Sequence, residues 1–232
     1  MSRLLSLPLL TLLVLVALSL SPRALSAQGP SVTDEGVENR FPDDIEFRVS
    51  AQSDQPIEKV RLHYTVLPDG TTASGVPDFE PGTSVSTSFT LAGNEPPRIY
   101  LPPGTRIEYY WEVEDAAGNT ATTPEASIVY EDIHFEWSTL EADGAIVHYY
   151  SGSEEDARAM LDVAQEAIAE MSGLLDATVD FPVHVRVYAS SDDMRPALQR
   201  RSESYEAQIT TAGVRGSSDT VLVLGNVSFT TL

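Results

Sequence analysis

The sequence predicts two folded units behind an export signal: an antiparallel β-sandwich, then an α/β or α+β unit. Three features carry that expectation. They are an apolar opening segment that closes on small residues, period-two alternation of apolar side chains between Asp44 and Tyr130, and one amphipathic helical stretch after Ser153. The 232 residues contain no cysteine, so both units must fold on hydrophobic cores without disulfides.

At the amino terminus, Arg3 precedes a mainly apolar run from Leu4 to Leu20, and SPRALSA follows it. That is the n, h and c order of a secretory signal, so residues 1–27 are read as a signal peptide. Cleavage after Ser26 offers Ala24 and Ser26 to the small pockets of signal peptidase; cleavage after Ala27 offers Leu25 and Ala27. The run is at the short edge of what spans a bilayer, which leaves an uncleaved membrane anchor as the alternative. Either way the mature chain is expected to be secreted or extracytoplasmic. A lipidated cysteine is excluded by composition.

Losing Arg3 and Arg23 with no acid would take the net charge from −21 to −23. A field of that sign repels phosphate backbones, and Arg200–Arg201 is the only adjacent basic pair, so nucleic acid is excluded as a partner.

Residues 28–40 are polar, without periodicity, and are expected to form a flexible leader. The alternation then places four strands: Ile45 to Ala51, Val60 to Val66, Val85 to Leu91 and Ile107 to Val113. Turn formers separate them, at Pro68 to Gly70, Pro81–Gly82, Pro102 to Gly104 and Ala116 to Asn119. Short strands at this spacing, with no helical period between them, read as a sandwich over residues 41–131. Tyr109 and Trp111 share the apolar face of Ile107 and Val113 and are expected in its core.

The segment LPPGT, the alternating Ile107-Tyr109-Trp111-Val113 and the DAAGN turn together resemble the last hairpin of a fibronectin type III or related immunoglobulin-like domain. One departure is Ile107, where such domains usually carry a corner tyrosine.

Beyond Tyr130 the pattern changes. A strand is expected at Ala145 to Tyr150, followed by a helix that Ser153 caps, with Asp156 at the capping-box position. Glu154 and Glu155 suit the positive end of its dipole. Ala157, Met160, Leu161, Ala164, Ile168 and Met171 form its apolar stripe, and Gly173 is expected to close it. A strand at Pro182 to Tyr188 sets Val183, Val185 and Val187 opposite His184, Arg186 and Tyr188. One or two helical turns at SSDDMRPAL and strands near Ala207 to Val214 and Thr220 to Leu224 complete the unit.

The order FEWSTLE, IVHYYSG, long helix, FPVHVRVYASSDDM, DTVLVLG resembles the opening half of a peptidase-MA-like domain, a gluzincin-type zinc metallopeptidase family often exported behind an immunoglobulin-like domain. The resemblance implies that residues 132–232 are the amino-terminal half of such a domain. It also implies that a full-length parent would use zinc-activated water on a peptide or protein substrate, with cell-surface or membrane association in keeping with export. The family holds zinc through H-E-x-x-H and a downstream acid. No HE dipeptide occurs in this chain, so no catalytic, cofactor-binding or metal residue is assigned and no cofactor is expected in it. The chain is accordingly read as a catalytically incomplete fragment, with an extracellular binding or adhesion module as the alternative. The half-domain is expected to leave apolar surface uncovered, so that proteolysis would spare residues 41–131 alone.

The histidines are His63, His134, His148 and His184. His148 and His184 fall on the more polar faces of strands that could be neighbours and are expected to be solvated there, with an improvised metal site completed by acidic partners as the alternative, while His134 is expected to pack in the linker. Glu114, Asp115 and Asn119 lack the alternating ligands of a calcium loop and are expected to form an ordinary hairpin turn. Asn226 to Ser228 is formally a glycosylation sequon.

Overall fold

A computed structural model describes residues 29–91, 99–199 and 213–225. The signal peptide, the sequon and the part of the expected strand at residues 207–212 lie outside the described residues. Among the described residues no helix is long and apolar enough to cross a membrane.

The first unit is an all-β sandwich built around one long strand. Strand β1 (Ser31–Arg40) pairs antiparallel with the first part of β2 (Asp44–Val66), and β4 (Gly82–Leu91) pairs with the other edge of the same part. The second part of β2, from Ile57 on, pairs instead with β3 (Thr71–Gly75) and β5 (Thr105–Asp115). Strands β6 (Thr120–Thr122) and β7 (Ala126–Tyr130) then pair in succession along the free edge of β5. The sequence predicts two strands within β2, whereas the structure joins them through register shifts between Gln52 and Ile57. This one strand therefore hydrogen-bonds in both layers. The expected alternation fills the core: Ile45, Phe47, Leu62, Ile107, Trp111 and Val113 are fully buried.

The flexible leader expected at 28–40 is corrected. Residues Ser31–Arg40 form a full strand whose register shifts between Asp34 and Gly36. Gly36 adopts φ +94° at that bulge, and its N–H donates to Asp34 Oδ1 at 2.9 Å. The bulge breaks the two-residue period, so only Val32 and Val37 mark the inward side.

The second unit is a five-stranded sheet in the order β11-β12-β10-β9-β8. Its members are β8 (Ser138–Ala142), β9 (Ala145–Tyr149), β10 (Val183–Tyr188), β11 (Gly213–Arg215) and β12 (Thr220–Leu224). Strands β9, β10 and β12 are parallel, with antiparallel strands β8 and β11 at the edges. The connection from β9 to β10 is helix α1 (Glu154–Leu175). Ser153 and Asp156 make the reciprocal capping box. The helix does not stop at Gly173: its left-handed cap is Asp176, at φ 48°. A glycine inside a helix costs only about 1 kcal/mol, too little to end one whose next turn can still form hydrogen bonds. Helix α2 (Ser191–Met194), capped by Ser190, runs into a 3-10 turn at Arg195–Ala197 that begins where Pro196 removes a donor.

Both faces of this sheet are covered. Ala145, Val147, Val185 and Val223 meet Ala157 and Leu161 of α1 on one face. On the other, Tyr188, Leu222 and Leu224 join Met194 and Ala197 in the core of the sandwich. The two units therefore share one apolar interior, and the sheet is the layer between helix and sandwich.

Candidate functional site

The polar groups with the most specific geometry lie along the seam where the sandwich meets β10. They sit there because β10 turns alternate residues to opposite faces, and His184, Arg186 and Tyr188 all face the sandwich. Burial on that face was not legible from the alternation alone, which marked it only as the more polar side.

Arg186 is the centre of the seam. Its side chain is 3% exposed, and both terminal nitrogens donate to the carboxylate of Glu131, Nη2 to Oε2 at 2.8 Å. The guanidinium also lies 5.3 Å from the ring centre of Trp137. On the sandwich side it passes Gly104, where an added Cβ would come within 2.5 Å of Nη2. Gly104 at φ +92° therefore serves both its turn and the close approach of this arginine.

Asp132, fully buried, connects three further groups. Tyr188 Oη donates to its Oδ2 at 3.0 Å, while the backbone N–H of His134 donates to Oδ1 and the His134 ring Nδ1 lies 2.9 Å from the same oxygen. Trp137 Nε1 donates to the Asp132 carbonyl at 2.9 Å. Burial and the neighbouring Asp132 carboxylate push the Tyr188 phenol far above its ordinary range, so it stays a donor. As expected, His134 packs in the linker, edge-on to Phe41 and Phe135.

The parallel pairing of β9 with β10 sets His148 beside Arg186 and one step from His184. His148 Nε2 lies 2.9 Å from His184 Nδ1, so one ring donates and the other accepts. The expectation of solvated rings is corrected, because both are half-buried beneath the sandwich. Desolvation, helped by the adjacent Arg186 charge, pulls His148 down to about 3, and desolvation also lowers His184. His148 is thus neutral over the ordinary pH range, and burial disfavours the charged form of His184 as well.

The remaining singled-out residues lie elsewhere. His63 stacks on Tyr110 at 4.7 Å on the outer face of the sandwich. Asp115 accepts from Ser53 Oγ and the Ala117 N–H, and from both the backbone and the side chain of Asn119; these donors hold its carboxyl below the usual range and organise the hairpin turn. Glu114 pairs with Lys59 at 2.8 Å. Tyr109, Trp111 and the acids Glu154, Glu155 and Asp156 occupy the core and cap positions described above. Among the described residues no group of three or more His, Cys, Asp or Glu side chains is placed to hold a metal ion.

Chemically, the seam offers a bidentate ion pair, a buried carboxylate and two imidazoles that engage each other. The ion pair and the Tyr188–Asp132 bond run between the linker and the sheet, whereas the imidazole pair lies within the sheet. The Arg186–Glu131 pair and the Tyr188–Asp132 bond join the two units.

No protein-family model matches the chain, and no curated protein matches it. Among solved structures it is similar to one titled "Crystal structure of Br derivative BhCBM56", at 16% identity and a TM-score of 0.25, over 40% of this chain and 99% of that one. A likeness of that size carries no conclusion about this chain.

Proposed function

We propose that the chain is an exported scaffold of the peptidase-MA-like, gluzincin type: a fibronectin type III-like sandwich joined to the front part of a peptidase-type α/β unit, with no hydrolytic chemistry of its own. The observation that carries the reading is the build of the mixed sheet. The β9–α1–β10 crossover is parallel, the antiparallel strand β11 lies at the edge next to β12, and α1 covers one face. The layers β1–β2–β4 and β3–β2–β5 with β7 have the strand order of a fibronectin type III sandwich, which supports the first half of the reading. In this reading the seam fixes the sandwich against the sheet, so that any partner or substrate held by one unit is presented in a set orientation to the other. The gene read past Leu232 tests it. An in-frame H-E-x-x-H, together with zinc binding and chelator-sensitive casein hydrolysis by the extended protein and by it alone, is the expected result. One tightly held zinc per molecule of the 232-residue chain overturns it.

A second reading, an extracellular binding module, is favoured by a concavity of about 450 Å³ at one end of the sandwich. Ser31, Gln52, Ser53, Asp54, Thr83 and Ser84 line it with hydroxyls, an amide and a carboxylate. Such a lining suits a polar saccharide or peptide. Binding of a glycan or peptide array to the full chain, lost on Ser84→Trp, would support this reading, and no binding would remove it.

A further inference from the structure

Helix α1 carries two apolar stripes, and the sheet covers only one. Ala157 and Leu161 are buried, and Ala164 and Ile168 pack beside them. Met160 packs on the same cluster, and Val163, Ala167, Met171 and Leu174 form the second stripe, at steps of four, four and three residues. That spacing keeps them on one side of a helix over roughly 16 Å. This stripe is exposed: Val163 is 48%, Met171 49% and Leu174 75% accessible. Nothing lies within 4 Å of where a Cβ on Gly173 would stand, so the outer side of the last turns is open.

Charge selects the occupant. The stripe's solvent-side border carries Asp162, Glu166 and Glu170, and Asp176 and Asp180 continue the acidic edge beyond the helix. The one base on the helix, Arg158, is engaged by Glu154 at 2.9 Å. The last turn has no basic residue of its own to offset the negative end of the helix dipole. A second copy of a chain with net charge −21 would bring a second acidic border against the first. The geometry points to a different partner: a basic amphipathic helical segment whose apolar side lies along Val163, Ala167, Met171 and Leu174 and whose flanking Lys or Arg side chains meet Glu166, Glu170 and the carboxyl end of α1. Met171 suits such a surface, since its flexible thioether adapts to a partner's side chains. This surface stands whether or not the chain belongs to a peptidase.

The test is fluorescence anisotropy of the full chain with a labelled synthetic helical peptide carrying leucines on one side and lysines on the other. A peptide of the same composition, scrambled so that no stripe forms, is the control. Saturable binding that weakens with salt is expected, lowered about tenfold or more by Val163→Asp with Leu174→Asp. Glu166→Gln with Glu170→Gln should lower affinity less and flatten the salt dependence, while Val76→Asp on the sandwich, equally exposed, should change nothing. All these side chains are exposed, and the glutamine pair keeps shape and packing unchanged, so loss of fold does not stand in for loss of binding. The inference is overturned if the scrambled peptide binds equally well, if both α1 variants bind like the parent, or if the free chain sediments as a dimer that Leu174→Asp dissolves.

Discussion

Arg186 of β10 and Glu131, the first residue after β7, are 55 positions apart and meet through both guanidinium nitrogens across the seam between sandwich and sheet. The arginine is buried, while the Glu131 side chain is 31% exposed, so the pair is asymmetric. Removing the acid leaves a desolvated cation with only the ring of Trp137 against it. Glu131→Ala should therefore cost about 3 kcal/mol, in the range for breaking a buried pair, and Arg186→Met clearly less, because it removes the buried charge itself. Urea unfolding followed by tryptophan fluorescence reads both variants. Equal losses would show that the pair contributes no more than its hydrophobic stem.

Gly104 supplies a second measure of the same contact. Gly104→Ala places a methyl into the Arg186 guanidinium and strains a φ of +92°, whereas Gly118→Ala, at φ +81°, meets open space. The second substitution isolates backbone strain, about 1–2 kcal/mol. Gly104→Ala should exceed it by at least about 1 kcal/mol, and that excess should shrink in an Arg186→Met background. Thermal melts of Gly104→Ala, Gly118→Ala, Arg186→Met, the Gly104→Ala/Arg186→Met double variant and the parent complete the comparison.

The sandwich was legible because half-buried strands repeat at period two, and Phe47, Leu62, Trp111 and Val113 carry that repeat without interruption. β1 was not legible: the bulge at Asp34 and Gly36 shifts its inward positions, and most of its stability comes from backbone pairing with β2, which leaves no mark in residue type. The α1 cap could be read from Ser153 and Asp156, since capping is local in sequence. The seam could not. That His148 faces His184, and Arg186 faces Glu131, depends on the parallel register of β9 with β10 and on which face of the sheet the sandwich covers. Alternation in β10 gives two faces but does not say that both are buried, so the face with His184, Arg186 and Tyr188 reads as the solvent side.

The histidine pair makes stability depend on pH. Unfolded, each ring takes a proton near its ordinary pKa of about 6.5. Folded, His148 resists protonation down to about 3 because burial and Arg186 disfavour the charge. Between those values the unfolded chain binds more protons, so stability is full above about pH 6.5 and falls as the pH drops toward 3, by at most about 1.4 kcal/mol per pH unit for this ring. His184 adds to the loss in the same direction. Asp115, whose carboxyl is held low by Asn119, contributes only below the usual carboxylate range and so leaves the interval from pH 5 to 6.5 to the histidines. His148→Gln should flatten the stability profile over that interval. An unchanged slope in urea unfolding at pH 5, 5.5, 6 and 6.5 would show that His148 does not govern it.

Limited proteolysis distinguishes a shared core from two separable units. On sequence grounds only residues 41–131 would survive, because half a domain would be loosely covered. The structure leads to a different outcome: Tyr188, Leu222 and Leu224 are buried with the sandwich, and Tyr100 Oη donates to the Ala197 carbonyl at 2.7 Å across the same boundary. The exposed stretch runs from Gly173 through Pro182, with Leu174 at 75% and Leu175 at 64% accessibility. Chymotrypsin should cut first within that connector, at Leu174, Leu175 or Phe181. The two pieces should remain associated at native pH, held by the seam and the common core, and should separate only in denaturant. Size-exclusion chromatography of the nicked protein, with masses of its fragments, checks this. Rapid loss of β9, β10 and β12 with survival of the sandwich alone would mean that the seam contributes little to holding the sheet, and Glu131→Ala would then leave the cleavage pattern as it was. If the seam does hold it, Glu131→Ala should convert the nicked complex into separating fragments, because Arg186, buried at the boundary, would have lost its countercharge.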